Sequence, residues 1–368
     1  MNTIKDAIKK VTDNIAASET VKDLTSFAKG TGAVDLVRNA FKDDKYYEIK
    51  KTILKKIREY DTIIIHRHVH PDGDCLGSAY GLRDMLRTSY PKKNVYAVGD
   101  DSVEYLTFLG SDDVVSDETY ENSLVIVVDT STSARVSNKR FTLGKEVIKI
   151  DHHIETDPFG TLNYVREEMP STSTILIDFF ETFKGELDLS THGAQCLYLA
   201  TVTDTGRFRY SSVTGDTLRL AGLMLDYDFD AEKMYSYLNL KSKESLKLQG
   251  YVYNNFNVSP NGVAYIYLSK KIQKKFKVSV DDASALVNCL DSIKGSLIWI
   301  LFVEFDDVIR ARLRSRFTTV DKIANQFSGG GHLRASGAVC KSKKDIKRMV
   351  EVADKQLAQF KLDNKDLF

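Results

Sequence analysis

Six of the seven histidines in this 368-residue chain fall inside three short motifs, at residues 62–78, 147–153 and 328–332, and the first two close apolar runs beside clustered aspartates. In TIIIHRHVHPDGDCLGS, residues 62–78, the run Ile63, Ile64, Ile65 leads into His66, His68, Asp72 and Asp74. In SLVIVVDTSTSAR, residues 123–135, the apolar stretch from Leu124 to Val128 ends on Asp129. In VIKIDHH, residues 147–153, a similar run ends on Asp151, His152 and His153, and Asp204 follows later in ATVTDTGRFRYSS. Any one of these aspartates, taken alone, reads as a turn former or helix N-cap. Together they read differently, because four or more carboxylates brought to one place repel one another unless cations neutralise them. Carboxylate and imidazole without paired cysteines is a donor set for Mn, Mg or Fe rather than for a structural zinc.

The elements that must carry these residues follow from periodicity. Short continuous apolar runs are strands of a parallel sheet covered on both faces, and ligands in open α/β sheets bind beyond the carboxyl ends of such strands. Runs at 62–66, 94–99, 124–129, 147–151 and 161–165 alternate with helical patterns, of which 172–183, 191–203 and 215–226 are the clearest. The pattern predicts an α/β fold, with a Rossmann-like parallel-sheet domain over 46–240. The polar stretch 241–257 is expected to be a linker. Beyond it, 258–368 reads as a smaller mixed-sheet α/β domain: a strand at 263–269, a helix at 281–293, two strands joined near Asp306-Asp307, a helix at 320–327, a glycine loop, a strand at 336–340 and a final amphipathic helix at 343–360. Residues 1–45 carry Ile4, Ile8, Val11 and Ile15 at helical spacing. Their short amphipathic helices are suited to packing on the domain or on a second subunit, so a homodimer is an arrangement they allow.

The second domain has its own chemistry-bearing residues. Arg312, Arg314 and Arg316 alternate, which would place all three on one face of a strand. The loop Ser328-Gly329-Gly330-Gly331-His332 would let backbone amides approach a phosphate or base. Residues 258–368 hold 20 Lys and Arg against 12 Asp and Glu, a net +8, which leaves −7 on residues 1–257. An acidic metal half and a basic half suit a phosphate-bearing ligand. The four cysteines, Cys75, Cys196, Cys289 and Cys340, show no CxxC spacing, which fits a reducing cytoplasm. The apolar stretch LIWILFV at 297–303 is far too short to span a bilayer, so no membrane segment is expected.

HVHPDGD, the isolated Asp129, the literal DHH at 151–153 and Asp204 resemble the DHH phosphoesterase superfamily. RLRSRFTTVDKIANQFSGGGHLRASG at 312–337 is similar to the DHHA1 substrate domain. The resemblance covers roughly residues 46–360 and is nearest the stand-alone subgroup of nano-RNases, pAp phosphatases and cyclic-dinucleotide phosphodiesterases. It implies two divalent ions, Mn2+ foremost with Mg2+ or Co2+ as substitutes, one held by His68, Asp72 and Asp129 and the other by Asp74, Asp129, His152 and Asp204. Asp129 would bridge them, and Asp72 and Asp74, two residues apart in an extended loop, would have the same side-chain direction. Two such ions roughly 3.5–4 Å apart activate water and clamp both oxygens of an in-line displacement at phosphorus. Asp151 would orient an imidazole, and His153 would face the scissile phosphate as a catalytic residue. Arg314, Gly329, Gly330, Gly331 and His332 would contact substrate. The expected activity is hydrolysis of short nucleotides, such as pApA or cyclic di-AMP, to nucleoside 5′-monophosphates, together with removal of the 3′-phosphate of pAp; long nucleic acid is not expected as a partner. The alternatives are a manganese pyrophosphatase, which carries a different C-terminal domain, a RecJ-like exonuclease, which needs a further nucleic-acid-binding domain, a silent nucleotide sensor using the same cleft, and a metal-stabilised structural protein, which needs neither glycine loop nor arginine face.

Overall fold

The computed structural model describes residues 44–101 and 103–365, so the helices expected within 1–45 lie outside the described residues except at their last two positions. The chain divides into two compact units between Tyr235 and Ser236.

The first unit runs α1 (Tyr47–Glu59), β1 (Thr62–His66), α2 (Gly73–Ser89), β2 (Asn94–Val98), β3 (Leu124–Val128), β4 (Glu146–Asp151), β5 (Leu162–Val165), α3 (Thr172–Thr182), α4 (Thr191–Asp204) and α5 (Gly215–Leu225), and α6 (Ala231–Asn239) crosses the boundary. The five strands form one parallel sheet in the order β2-β1-β3-β4-β5. Ile63, Ile64, Ile65 and all five residues of β3 have no solvent exposure, which is why these strands read as unbroken apolar runs instead of alternating ones. Leaving β1, the chain pairs β2 on one side and β3 on the other, so the order reverses between β1 and β3, where doubly wound sheets open a ligand crevice.

Helices α2 and α4 are brought close by small residues on one face of α2. A Cβ at Gly73 would lie 2.3 Å from Thr203 Oγ1, one at Gly77 2.5 Å from the Cys196 carbonyl, and one at Gly81 2.6 Å from Leu197 Cγ. The contact sets the first turn of α2, with Asp72 and Asp74, beside the last turn of α4, which ends on Asp204.

The second unit contains α7 (Lys243–Asn255), β6 (Asn257–Val258), β7 (Val263–Leu268), α8 (Lys270–Phe276), α9 (Val280–Ser284), β8 (Ile298–Glu304), β9 (Ile309–Ser315), α10 (Asp321–Asn325), β10 (Gly330–His332), β11 (Ala335–Cys340) and α11 (Lys343–Asp363). Its sheet is mixed, in the order β10-β11-β9-β8-β7-β6, with β7 and β8 parallel and the other pairs antiparallel. One face packs Ile300, Phe302 and Leu313 with Ile323, Met349 and Leu357 of α10 and α11. The other packs Trp299, Leu301 and Val303 with Leu248 and Val252 of α7. Most of the stretch read as a linker, 241–257, is therefore a core helix, capped by Ser242 and seated by two buried apolar side chains one turn apart in a mostly polar sequence. The helix expected at 281–293 is shorter, five α-helical residues followed by a 3-10 turn from Ala285 to Leu290. The glycine loop is also different: Gly330–His332 forms an edge strand paired with β11.

Candidate metal centre

The carboxyl ends of β1, β3 and β4 and the facing ends of α2 and α4 place the acidic and imidazole residues together. His68 lies two residues beyond β1, 5% exposed, in a backbone bridge with Val136. Asp129 follows β3 directly with φ +51°, a left-handed conformation uncommon for a residue with a side chain. His152 and His153 follow Asp151, the last residue of β4, and Asp204 ends α4. Asp72 and Asp74 do not share the extended loop that their spacing suggested. Asp72 is the N-cap of α2 and accepts the Cys75 amide at 3.1 Å, so Asp74 already lies in the first helical turn.

Asp129 stands at the centre. Its Oδ2 is 3.4 Å from His68 Nε2, and its Oδ1 is 3.5 Å from His152 Nε2. His68 Nε2 is also 3.9 Å from Asp72 Oδ1, while His152 Nε2 is 3.4 Å from Asp204 Oδ2 and 3.9 Å from Asp74 Oδ2. The Nδ1 atoms point the other way, that of His68 2.8 Å from the Val69 carbonyl and that of His152 3.3 Å from the Met169 carbonyl. A ring that donates from Nδ1 to a carbonyl offers a lone pair at Nε2, the tautomer a metal-ligating histidine adopts. Donor atoms of Asp74, His152 and Asp204 all lie within 4.8 Å of one another. Spacing, tautomer and the hard oxygen-rich donor set all fit a divalent cation.

The electrostatics agree. Burial and the charge of Asp129 push the Asp74 carboxyl up to about 7. Desolvation and the charges of Asp74, Asp72 and Asp129 hold Asp204 well above the usual carboxylate range. Burial would raise Asp129 too, but the His68 hydrogen bond and the charges of His153 and His152 hold it below that range. The cluster is an excess of negative charge that imidazolium only partly offsets, which is the condition a cation relieves.

Behind this cluster, Asp151 Oδ1 accepts from the His152 amide at 2.9 Å, the His153 amide at 3.2 Å and His153 Nδ1 at 2.8 Å. The imidazole it orients is thus that of His153. Lys149, fully buried on β4, has its Nζ 3.5 Å from Asp151 Oδ2 and donates to the Ser131 and Asp157 carbonyls. Three other histidines stand apart from the acid cluster: His66 is in the core, 3.0 Å from the Tyr120 hydroxyl, the His70 amide donates to Asp101, and His192 lies 3.8 Å from Asp84 near the start of α4.

Sequence reasoning missed several residues at this site. The Thr172 amide donates to Asp74 Oδ2 at 2.6 Å and its hydroxyl to Asp129 Oδ1 at 3.0 Å; the Ser173 amide and the Ser78 hydroxyl donate to Asp74 Oδ1 at 3.0 and 3.1 Å. Cys75, whose thiol burial pushes up to about 11, has its Sγ 3.9 Å from the His68 carbonyl oxygen and can reach His68 and Asp129. The signal for the Thr172 contacts was present in Ser171-Thr172-Ser173-Thr174, a run of capping residues before an apolar helix.

In the second unit, Arg310, Arg312 and Arg314 share the outward face of β9, and Arg316 lies beyond the strand's end. Arg316 stacks at 5.4 Å over Trp299, the register partner of Arg314, and Arg310 stacks over Phe305 at 4.3 Å. Register sets His332 opposite Ala335, Ala335 opposite Arg314, and Arg314 opposite Trp299, in one row across four strands. His332 and Arg314 thus rise from the same face, roughly 10 Å apart at two strand spacings. Among the glycines, Gly329 meets a packing demand, since a Cβ there would lie 2.1 Å from the Gly337 carbonyl, and Gly331 alone of the three has positive φ, at +138°.

Residues 62–201 match the DHH family, N-terminal domain, and residues 261–359 match the DHHA1 domain. The bifunctional oligoribonuclease and PAP phosphatase NrnA of Bacillus subtilis is 40% identical over 291 residues, which cover 79% of this chain and 93% of that protein. The probable bifunctional oligoribonuclease and PAP phosphatase NrnA of Streptococcus mutans is 43% identical over 289 residues, covering 78% and 92%. Among solved structures, an exopolyphosphatase-related protein from Bacteroides fragilis superposes with a TM-score of 0.77 at 27% identity, covering 84% of this chain and 98% of that one. Both halves of the chain and the full span of its relatives lead to one assignment: it belongs to the DHH family of phosphoesterases, with a DHHA1 domain, and its chemistry is the hydrolysis of phosphoester bonds.

Proposed function

We propose that this chain hydrolyses short nucleotides with two divalent ions, cleaving di- and short oligoribonucleotides such as pApA to nucleoside 5′-monophosphates and removing the 3′-phosphate of pAp. The observation that carries the reading is the division of Asp129, one oxygen toward His68 and the other toward His152. A single carboxylate shared between two imidazole-bearing clusters is what a bridged pair of ions requires. His68, Asp72 and Asp129 would hold one ion and Asp74, Asp129, His152 and Asp204 the other. Bound there, the ions supply a water nucleophile at neutral pH and charge stabilisation on the transferring phosphoryl group. His153, with Nδ1 committed to Asp151, presents Nε2 to protonate the leaving oxygen. The names of the relatives from B. subtilis and S. mutans support the substrate class. Mn2+ is the proposed ion by resemblance to the family, and carboxylate and imidazole donors accept it as they accept Mg2+, Fe2+ or Co2+. Arg314 and His332 are proposed to grip the part of the nucleotide that does not react, with Gly329, Gly330 and Gly331 shaping the hairpin that carries His332. Among the described residues no helix is long and apolar enough to cross a membrane, and a cytoplasmic site of action is proposed from the unpaired cysteines.

The test is a panel of pApA, longer oligoribonucleotides, pAp, cyclic di-AMP and pyrophosphate with the purified protein, with and without Mn2+, and with products resolved by chromatography. Turnover of pApA and pAp that requires the metal is the expected result. Pyrophosphate as the best substrate, or tight nucleotide binding without turnover, would overturn the proposal. Cleavage of cyclic di-AMP would extend the substrate range.

A further inference from the structure

Two of the carboxylates proposed for the ions are tied to one residue that is in neither ligand set. Thr172 donates its amide to Asp74 Oδ2 at 2.6 Å and its hydroxyl to Asp129 Oδ1 at 3.0 Å, and both it and Ser173 are fully buried. It can reach both because it opens α3. Ser171 caps that helix, its Oγ accepting the Thr174 amide at 3.2 Å, so the amides of Thr172 and Ser173 remain without partners inside the helix and turn to Asp74 instead. The positive end of the helix thereby faces the acidic cluster.

We infer that Thr172 is a positioning residue of the metal centre, and that its hydroxyl sets the carboxylate plane of Asp129. The inference rests on the two-ion reading above. A carboxylate on a single Cβ is free to swing about its last torsion. Asp129 serves two clusters only while Oδ2 faces His68 and Oδ1 faces His152, and its other close side-chain partners are imidazoles: His68 at 3.4 Å, His152 at 3.5 Å and His153 at 3.7 Å. When His68 and His152 turn their lone pairs to cations, they no longer donate to Asp129. The Thr172 hydroxyl, which is outside both ligand sets, keeps its hydrogen bond and the plane with it. The amide that holds Asp74 is backbone and survives any side-chain substitution, so the hydroxyl can be tested alone.

Thr172→Val deletes the hydroxyl at nearly constant shape, and Thr172→Ser retains it. Mn2+ alone is titrated calorimetrically into chelator-treated protein, and kcat and KM for pApA are measured alongside. Thr172→Val is expected to weaken Mn2+ binding roughly 10–100-fold and lower kcat while KM for the nucleotide stays unchanged, whereas Thr172→Ser stays within roughly threefold of wild type in Mn2+ affinity. Wild-type Mn2+ affinity in Thr172→Val, or an equal loss in both variants, overturns the inference. Should the valine variant fail to fold, Thr172→Ala, which removes the same hydroxyl without crowding, takes its place in the comparison. A wild-type protein that binds no Mn2+ would instead sink the two-ion reading itself, so the two failures are told apart by the wild-type isotherm.

Discussion

Asp151 Oδ1 and His153 Nδ1 are 2.8 Å apart, and the same oxygen accepts the backbone amides of His152 and His153. One carboxylate oxygen therefore fixes both the turn after β4 and the plane of the ring that follows it. The proton on Nδ1 is committed to Asp151, and Nε2 is the nitrogen proposed for proton transfer. His153→Ala should lower kcat by roughly 100-fold or more, the range of a lost general acid, while bound metal stays near wild type. Asp151→Asn should lose less, since the ring remains but its tautomer is no longer enforced. Metal analysis beside steady-state kinetics checks both, and loss of metal in His153→Ala would move that residue into the ligand set.

Asp129→Ala takes a donor from each of the two proposed ions at once. Turnover should fall by at least ~1000-fold, with metal content reduced as well. Activity above about a tenth of wild type with unchanged metal would remove Asp129 from the centre.

The residues proposed as donors were legible together and not singly: an Asp after an apolar strand reads as a turn former or N-cap until several such strands end on acid and imidazole. The residues that hold those donors were not. Lys149 sits in IKID, where a lysine looks like an ordinary break in a strand, and only the fold reveals that its ammonium is enclosed against Asp151 and two carbonyls. Thr172 acts partly through its backbone amide, which leaves no trace in a side-chain pattern. The extended reading of Asp72 and Asp74 failed because an N-cap aspartate and the first helical turn are as compatible with PDGD as a loop is, and packing against α4 through Gly73 and Gly77 decides between them. In the second unit, α7 was hidden because two buried side chains, Leu248 and Val252, are enough to seat a helix whose other residues are mostly polar.

Lys149 should matter more to stability than its isolation suggests. Removing the ammonium leaves Asp151 Oδ2 without its cation while Oδ1 keeps His153 and two amides, at a cost of roughly 3 kcal/mol, the lower end for a broken buried pair. Lys149→Met, similar in volume, should show that loss in urea unfolding followed by circular dichroism. A loss below about 1 kcal/mol would mean that water or another group reaches Asp151 in its place.

His192 gives a prediction in pH. The Asp84 carboxylate beside it, and then Cys196, raise its imidazole from 6.5 to about 10. A histidine raised in the folded state adds stability that is fully present below 6.5 and is lost as pH climbs through about 10. The ring is about half exposed, so solvent screening keeps the effect small, on the order of 0.5 kcal/mol. His192→Gln should melt below wild type at pH 6 and near pH 8, with the gap closing as pH passes about 10. A gap that closes near 6.5 would show that Asp84 does not hold the charge.

Arg314 allows binding to be separated from chemistry. It stands on β9 in the row that runs from His332 through Ala335 to Trp299, so a guanidinium and an imidazole rise from one face of the sheet with only a small side chain between them. Such a pair suits a phosphate or base edge that is held and not transformed, because a planar guanidinium meets phosphate through two parallel hydrogen bonds. Arg314→Ala should therefore raise KM for pApA roughly tenfold or more with kcat nearly unchanged, and Arg314→Lys, which keeps the charge but not the fork, should recover only part of the affinity. The same variants assayed on pAp and on pApA locate the contact. Equal KM effects place Arg314 on a feature that both substrates share, while a larger effect on pApA places it on the second nucleotide. A loss confined to kcat would put Arg314 at the reacting phosphate and leave the nucleotide's distal end to other residues of the face.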